Sequence, residues 1–268
     1  MLKLKKSLGQ NLLTDKNIIN KILNLANIKN KNILEIGPGT GNLTGLILEK
    51  KPKKLLLVEK DKRFCNILNS KFNSFNNYEI FNEDILKFNL DSNFKSETIY
   101  GNLPYNISTQ ILAKIIKFER LNSQVEKVIF MFQKEVADRI LAKPDNKSYS
   151  RITILTNFKL DIVQNFKVPK DCFYPIPKID SKVIVFKPKI KVKYKIKNIE
   201  NLERITQIFF AGRRKMINKP FSKIFKNYKD VAKSLNINLN RRPSELSCED
   251  FYQITEKYER LINSWNVN

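Results

Sequence analysis

The stretch Asn32-Ile33-Leu34-Glu35-Ile36-Gly37-Pro38-Gly39-Thr40-Gly41 constrains the fold more than any other part of this chain. An apolar run of strand length enters a turn with glycines at alternate positions. A helix-like segment, Asn42-Leu43-Thr44-Gly45-Leu46-Ile47-Leu48, follows at once. Glycine permits a tight turn and leaves room for a ligand to approach the backbone. Strand-like runs at Ile33–Ile36, Leu55–Val58, Tyr78–Phe81, Thr98–Tyr100 and Val128–Phe132 then alternate with helical patterns. Between the last two, Ile107, Ile111, Leu112, Ile115 and Ile116 form one apolar helix face. This alternation predicts an α/β fold, with a mainly parallel sheet covered by helices on both faces. A helix over Asp15–Ala26 precedes the first strand, because Ile18, Ile19, Ile22, Leu23 and Leu25 recur at helical spacing. Ile152–Phe158 and Val183–Phe186 are expected to finish the sheet as a pair of strands around a Pro-rich segment.

The glycine spacing, Glu-x-Gly-x-Gly-x-Gly, is not the G-x-G-x-x-G of a dinucleotide-binding turn, and it suits an adenosyl ligand without a pyrophosphate. Glu59 ends the Leu55–Val58 run, where its carboxylate can accept both ribose hydroxyls. Asp84, after Tyr78–Phe81, can accept from an adenine amino group. The segment Gly101-Asn102-Leu103-Pro104-Tyr105 follows Thr98–Tyr100. Asn102 and the Leu103 or Pro104 carbonyl supply acceptors for a planar amine, Pro104 fixes the backbone that aims them, and Tyr105 offers a face for a nucleobase. Singly, these features have plain readings as a turn proline, a core tyrosine or a strand-end charge. Their order is what carries weight, because each sits at the C-terminal end of a predicted strand, the edge where open α/β sheets bind ligands.

Charge narrows the partners. Lys and Arg number 50 against 26 Asp and Glu, a formal charge of +24, which favours polyanions because each neutralised phosphate releases counterions. A bias towards Lys, Asn and Ile across the whole chain accounts for part of that excess. Histidine is absent, which excludes a His base, a His-containing triad and a His-liganded metal. Cys65, Cys172 and Cys248 are far apart and fit no C-x-x-C pattern, as expected of a reducing cytosol. No run approaches the ~20 apolar residues of a membrane span and no signal-peptide core is evident, so a cytoplasmic protein is expected. From Lys187 to Lys197 lysine recurs at every second residue, which reads as a strand or linker with one charged face, either guarding a sheet edge or touching RNA. The domain boundary is placed here, giving domains 1–190 and 191–268. Beyond it, Asn201–Phe210, Phe221–Tyr228, Val231–Leu235 and Phe251–Ile262 read as helices. Asp230 is the only acid between Arg204 and Arg242, so this domain can present a basic face to RNA.

On these motifs the chain resembles the S-adenosylmethionine-dependent small-subunit (16S) ribosomal RNA adenine N6,N6-dimethyltransferases, the KsgA family. Lys5-Lys6-Ser7-Leu8-Gly9-Gln10-Asn11-Leu12-Leu13 is similar to the family's N-terminal basic-Gly-Gln-Asn-Phe-Leu signature, with Leu12 for Phe. Phe173-Tyr174-Pro175-Ile176-Pro177-Lys178-Ile179-Asp180-Ser181 is similar to its F-x-P-x-P-x-V-D-S segment, with Ile179 for Val. Phe210–Lys215 and Arg242–Ser247 resemble two motifs of its C-terminal helical region, whereas Met216-Ile217-Asn218 departs from the commoner Thr-Leu-x-Asn continuation. The resemblance implies a Rossmann-like methyltransferase sheet with a small C-terminal helical domain. It implies dimethylation of two adjacent adenosines near the 3′ end of small-subunit RNA during subunit biogenesis, by a monomer without a metal. Asn102, Leu103, Pro104 and Tyr105 would form the catalytic tetrad. Asn11, Leu13, Gly37, Gly39, Glu59, Asp84 and Asn102 would hold the donor, Phe173 would stack the base opposite Tyr105, and Arg213, Arg214 and Lys215 would meet RNA. Competing readings are an erythromycin-resistance-type enzyme acting on the large subunit, a DNA adenine methyltransferase, and a non-catalytic nucleic-acid-binding relative. The Asn-Leu-Pro-Tyr form and the longer C-terminal region argue against the first, the second usually shows a different tetrad, Asp/Asn-Pro-Pro-Tyr/Phe, and the intact Gly37/Glu59/Asp84/Asn102 set argues for activity.

Overall fold

The computed structural model describes residues 10–93 and 96–265. Lys5 to Gly9 of the N-terminal signature lie outside the described residues. Two compact units are present: the described residues up to Ala137 with Leu160–Ile190, and Asp138–Lys159 with those from Lys191 onward. Residues 138–159, which the sequence reading leaves in the first domain, therefore pack within the second unit.

In chain order the elements of the first unit begin with β1 (Leu12–Leu13), α1 (Lys16–Leu23), β2 (Asn32–Ile36), α2 (Asn42–Glu49), β3 (Lys54–Val58) and α3 (Lys62–Lys71). They continue with β4 (Tyr78–Phe81), α4 (Leu90–Asn93), β5 (Thr98–Asn102), α5 (Ser108–Lys117), α6 (Leu121–Gln124), β6 (Lys127–Gln133) and α7 (Lys134–Leu141), within which the chain enters the second unit. After α8 (Arg151–Lys159) of the second unit come β7 (Leu160–Val168), β8 (Phe173–Tyr174) and β9 (Ser181–Pro188). The main sheet has the order β4-β3-β2-β5-β6-β9-β7. Its first five strands are parallel, β9 runs antiparallel to β6, and β7 runs antiparallel to β9. Ile33 to Ile36 of β2 and Leu55 to Val58 of β3 are buried on both faces, as a parallel sheet covered by helices requires. On one face Leu55, Leu57, Tyr100, Ile129 and Val185 share a core with Ile19, Ile22 and Leu23 of α1 and Ile47 of α2. Asp15 caps α1 by accepting from Ile18 N (2.8 Å). Among the described residues, no helix is long and apolar enough to cross a membrane.

The predicted parallel strands agree with the structure to within two residues at each end. Ile152–Phe158 is the exception: it lies inside α8 and not in the sheet. Its run of Ile, Thr and Leu has strand propensity, but Thr153 to Thr156 and Phe158 are buried almost all round, which erases the periodicity that would mark a helix. The strand that does close the sheet is β7, whose alternation is broken by a bulge between Ile162 and Gln164 that leaves Val163 half exposed. β9 lies between β6 and β7, so the lysine run that begins on it guards no sheet edge. Beyond Pro188 that run is irregular.

The second unit adds α9 (Ile199–Phe210), α10 (Asn218–Ile224), α11 (Tyr228–Ser234) and α12 (Cys248–Trp265) to α8. Phe209 packs edge-on against Phe221 and Phe251, each at 5.5 Å between ring centres. Tyr252 of α12 donates to the Ile154 carbonyl of α8 (2.8 Å). The helix expected over Phe221–Tyr228 is split, because Phe225 is extended and Tyr228 opens α11.

Candidate active site

The C-terminal ends of β2 to β6 border one cavity of about 300 Å³, every lining residue of which belongs to the first unit. The glycine turn forms one wall. At Gly39 (φ +58°) a Cβ would stand 3.0 Å from Leu12 Cδ2, and at Gly41 (φ +80°) it would stand 2.6 Å from the Phe72 ring. Only glycine keeps this turn both left-handed and close-packed.

Glu59 follows β3 and is 7% exposed. Its Oε2 accepts Gly39 N (3.2 Å) and its Oε1 accepts Asp61 N (2.8 Å). A carboxylate accepts about four hydrogen bonds, so two backbone donors leave capacity for a ligand's paired hydroxyls. Burial pushes the Glu59 carboxyl up, against the pull of those backbone donors. Asp61 caps α3 and holds a bidentate pair with Arg63 (3.0 and 2.6 Å), which keeps its carboxyl well below the usual range. Asp84 pairs with Lys60 (2.8 Å) and accepts Leu86 N (2.9 Å); the Lys60 ammonium lowers its carboxyl in turn.

The N-terminal segment runs along the cavity and is tied at several points. Gln10 Nε2 donates to Asp61 Oδ2 (3.0 Å), Asn42 Nδ2 donates to Leu13 O (2.8 Å), and Asn102 Nδ2 donates to Asn11 O (3.0 Å). β1 also pairs with β8, Leu12 against Tyr174 and Leu13 against Phe173. The Asn102 amide is thus held by its nitrogen, which leaves Oδ1 as an acceptor, and Asn102 is among the residues that line the cavity. Tyr105 is half-buried, and its hydroxyl is 2.8 Å from the buried Ser181 Oγ. Burial pushes that hydroxyl up, so the ring stays neutral.

With this geometry in place, comparison with known proteins is decisive. The family profile described as "Ribosomal RNA adenine dimethylase" matches residues 1–260. The chain belongs to the ribosomal RNA adenine dimethylase family. It is an enzyme, an S-adenosylmethionine-dependent methyltransferase that dimethylates adenine in ribosomal RNA. It is 46% identical to Ribosomal RNA small subunit methyltransferase A of Pelagibacter ubique, over 97% of this chain and 98% of that one. The namesake from Francisella tularensis subsp. novicida is 39% identical, over 94% and 96%. Among solved structures, a dimethyladenosine transferase from Plasmodium falciparum superposes with a TM-score of 0.79 at 27% identity, covering 93% of this chain and 98% of that one. The 23S rRNA methyltransferase ErmE, at 21% identity and TM-score 0.66 over 92% of this chain and 99% of that one, shares the fold.

The residues of this dimethylase suit its methyl donor. The turn is open where a Cβ would intrude, and the acids after β3 and β4 keep acceptor capacity at the cavity. Asn11, Leu13, Gly37, Gly39, Glu59, Asp84, Asn102 and Pro104 of the expected set line this one cavity. Leu103 is buried and does not line it, and Tyr105, between the lining residues Pro104 and Asn106, does not line it. Phe173 does not line it either: at 2% exposure it is packed in the core with Leu13, so in this arrangement it offers no open face to a base. Arg213, Arg214 and Lys215 belong to the second unit, where Arg213 donates to Asn146 O (3.0 Å). Glu35, Asn42, Asp61 and Ser181 have places in or behind the site that sequence reasoning left without roles. Glu35 had a visible signal, a carboxylate two residues before the first glycine of the turn. Ser181 had none, because its link to Tyr105 spans 76 positions.

Proposed function

We propose that this dimethylase acts on adjacent adenosines near the 3′ end of small-subunit ribosomal RNA, within a partly assembled subunit, as a cytoplasmic monomer. The small-subunit assignment follows the relatives named above. The observation that supports the residue roles is the Asn11–Asn102 contact, which engages the amide nitrogen of a residue that lines the same cavity as the turn and the two acids and leaves its oxygen to accept.

An adenine N6 amine is a poor nucleophile because its lone pair is delocalised into the ring. Acceptors for its protons favour a pyramidal nitrogen and free that lone pair. Asn102 Oδ1 is the first acceptor. The Pro104 carbonyl already takes Ile107 N–H (3.2 Å), which favours the Leu103 carbonyl as the second. Tyr105, steadied by Ser181, stacks on the base. Glu59 accepts the donor's ribose hydroxyls, and Asp84 its adenine amine, while Gly37 and Gly39 leave room along the turn and Asn11 and Leu13 close the opposite side. When bound, S-adenosylmethionine supplies an electrophilic methyl group on a sulfonium. The protein's part is positioning and electrostatics, which needs no covalent intermediate. After one transfer the amine retains a single N–H, which still engages one acceptor, so one site serves both methylations. The target must be single-stranded or flipped out, since stacked helical RNA hides its amine.

The test is to digest methylated small subunits and resolve the nucleosides by mass spectrometry. N6,N6-dimethyladenosine on small-subunit RNA is the expected product, with partly assembled subunits preferred over short free RNA. Monomethyladenosine alone at saturation, or product solely on large-subunit RNA, overturns this reading.

A further inference from the structure

One acid of the cavity wall has no part in the reaction just described. Glu35 is the fourth residue of β2, two before Gly37, and it is 2% exposed. It lines the cavity, and its one hydrogen bond is from the Thr44 hydroxyl of α2 to Oε2 (2.7 Å). Among the described residues no cation pairs with it. The groups around it are neutral or of like charge. Leu57 of β3 and Tyr100 of β5 flank it in register, and burial pushes the Tyr100 hydroxyl up, which keeps that ring neutral. Glu59, at the end of β3, faces it with a like charge. Gln10 to Leu13 of the N-terminal segment carry no ionisable side chain. Lys60, Glu83 and Asp84 line the same cavity from the loops after β3 and β4, and Lys60 is already paired with Asp84.

A buried carboxylate without a counter-charge is costly, and such a group keeps its proton instead. Burial, reinforced by Glu59, pushes the Glu35 carboxyl up to about 8 despite the Thr44 hydrogen bond. A ligand with a fixed sulfonium and an ammonium supplies the missing charge. We propose that Glu35 is a proton-linked counter-charge for the methyl donor: it is protonated in the donor-free cavity and gives its proton to solvent when the cationic donor enters. The carboxyl O–H bond breaks, its electron pair stays on oxygen, and the resulting carboxylate pairs with the ligand. This rests on the donor occupying this cavity, as proposed above. It also means that donor affinity is tuned by pH in the neutral range, and that the cavity favours cationic adenosyl compounds over neutral ones.

Calorimetric titration of the full-length wild-type protein with S-adenosylmethionine, in buffers of different ionisation enthalpy at pH 7, counts the protons released. Nearly one proton should leave Glu35 for each donor bound. The donor's own amine, titrating near 7.7–8.0 like other α-amino groups, is held charged in the complex and offsets only a small fraction, with opposite sign. Affinity should rise about tenfold or more between pH 6 and 8. Glu35→Gln, which can still accept from Thr44, should bind the donor more weakly, release no proton and lose the rise in affinity. Binding without proton release in the wild type, or release that persists in Glu35→Gln, overturns the proposal and leaves the donor site standing. Failure of the wild type to bind the donor at all, or binding unaffected by Glu59→Ala, counts against the donor site itself.

Discussion

A side-chain amide fixed through its nitrogen presents its oxygen in one place, and Asn102 is fixed in this way by a main-chain carbonyl that no side-chain substitution removes. Its proposed contact strengthens as the target amine becomes pyramidal, so its value is concentrated in the transition state. Asn102→Ala should therefore lower the methyl-transfer rate by about 10²–10³-fold, the scale of losing one preorganised polar group, while the donor dissociation constant moves only a few-fold. Single-turnover rates set beside donor titrations check this, and a near wild-type rate removes Asn102 from the chemistry. Glu59 should behave in the opposite way. A carboxylate on paired hydroxyls contributes on the order of 1.5–3 kcal/mol per charge-assisted bond, so Glu59→Ala should weaken donor binding by about tenfold or more. Glu59 also holds Gly39 N and Asp61 N. Thermal unfolding of the variant separates a local loss of donor contact from collapse of the turn. An unchanged dissociation constant would return Glu59 to a purely structural role.

Elements built from short-range pattern were legible in the sequence, and those built from distant contacts were not. β2, β3 and β5 each end in a residue that lines the cavity, and Glu83 and Asp84 just after β4 line it too, because a strand run followed by a glycine turn, an acid or Asn-Leu-Pro-Tyr is a local signal. β1 is two residues long and exists only through β8, some 160 positions away, so nothing near it in sequence announces it. α8 was misread because burial on all sides gives helix and strand the same apolar signature, and packing decided between them. The same dependence on distant contacts appears where α12 meets the start of α9. Glu259, 6% exposed, accepts Lys197 N (2.7 Å), Asn198 N (3.0 Å) and Asn201 Nδ2 (2.9 Å), so one side chain fixes both the cap of α9 and the approach to it. Glu259→Ala leaves three donors to find new partners and should destabilise the second unit by roughly 2–4 kcal/mol. Urea unfolding followed through the helical signal measures this, and a loss below about 0.5 kcal/mol, the range of ordinary surface substitutions, would show that water replaces those bonds freely.

At the scale of the whole molecule, the formal charge of +24 is what the RNA meets first. Counterion release makes the affinity of such a protein for RNA fall with salt, with a slope set by the number of phosphates neutralised. A charge spread evenly over the surface would make that slope insensitive to any small cluster, whereas a concentrated contact would make it sensitive. Arg213, Arg214 and Lys215 are the sharpest local test, but they are not equivalent. Arg214 and Lys215 are exposed, whereas Arg213 is half-buried and bonded to Asn146 O within its own unit. The pair Arg214→Ala and Lys215→Ala should therefore reduce the logarithmic salt slope by about 1–2, with donor affinity and thermal stability unchanged. Adding Arg213→Ala should deepen the loss of RNA affinity and also lower the melting temperature, since it cuts a bond that holds the loop around Asn146. Filter binding of small-subunit RNA over a range of salt, in parallel with thermal unfolding, keeps the two effects apart. A slope unaltered by the exposed pair means that the cluster does not touch phosphate, and that recognition by this unit rests on its other cationic side chains.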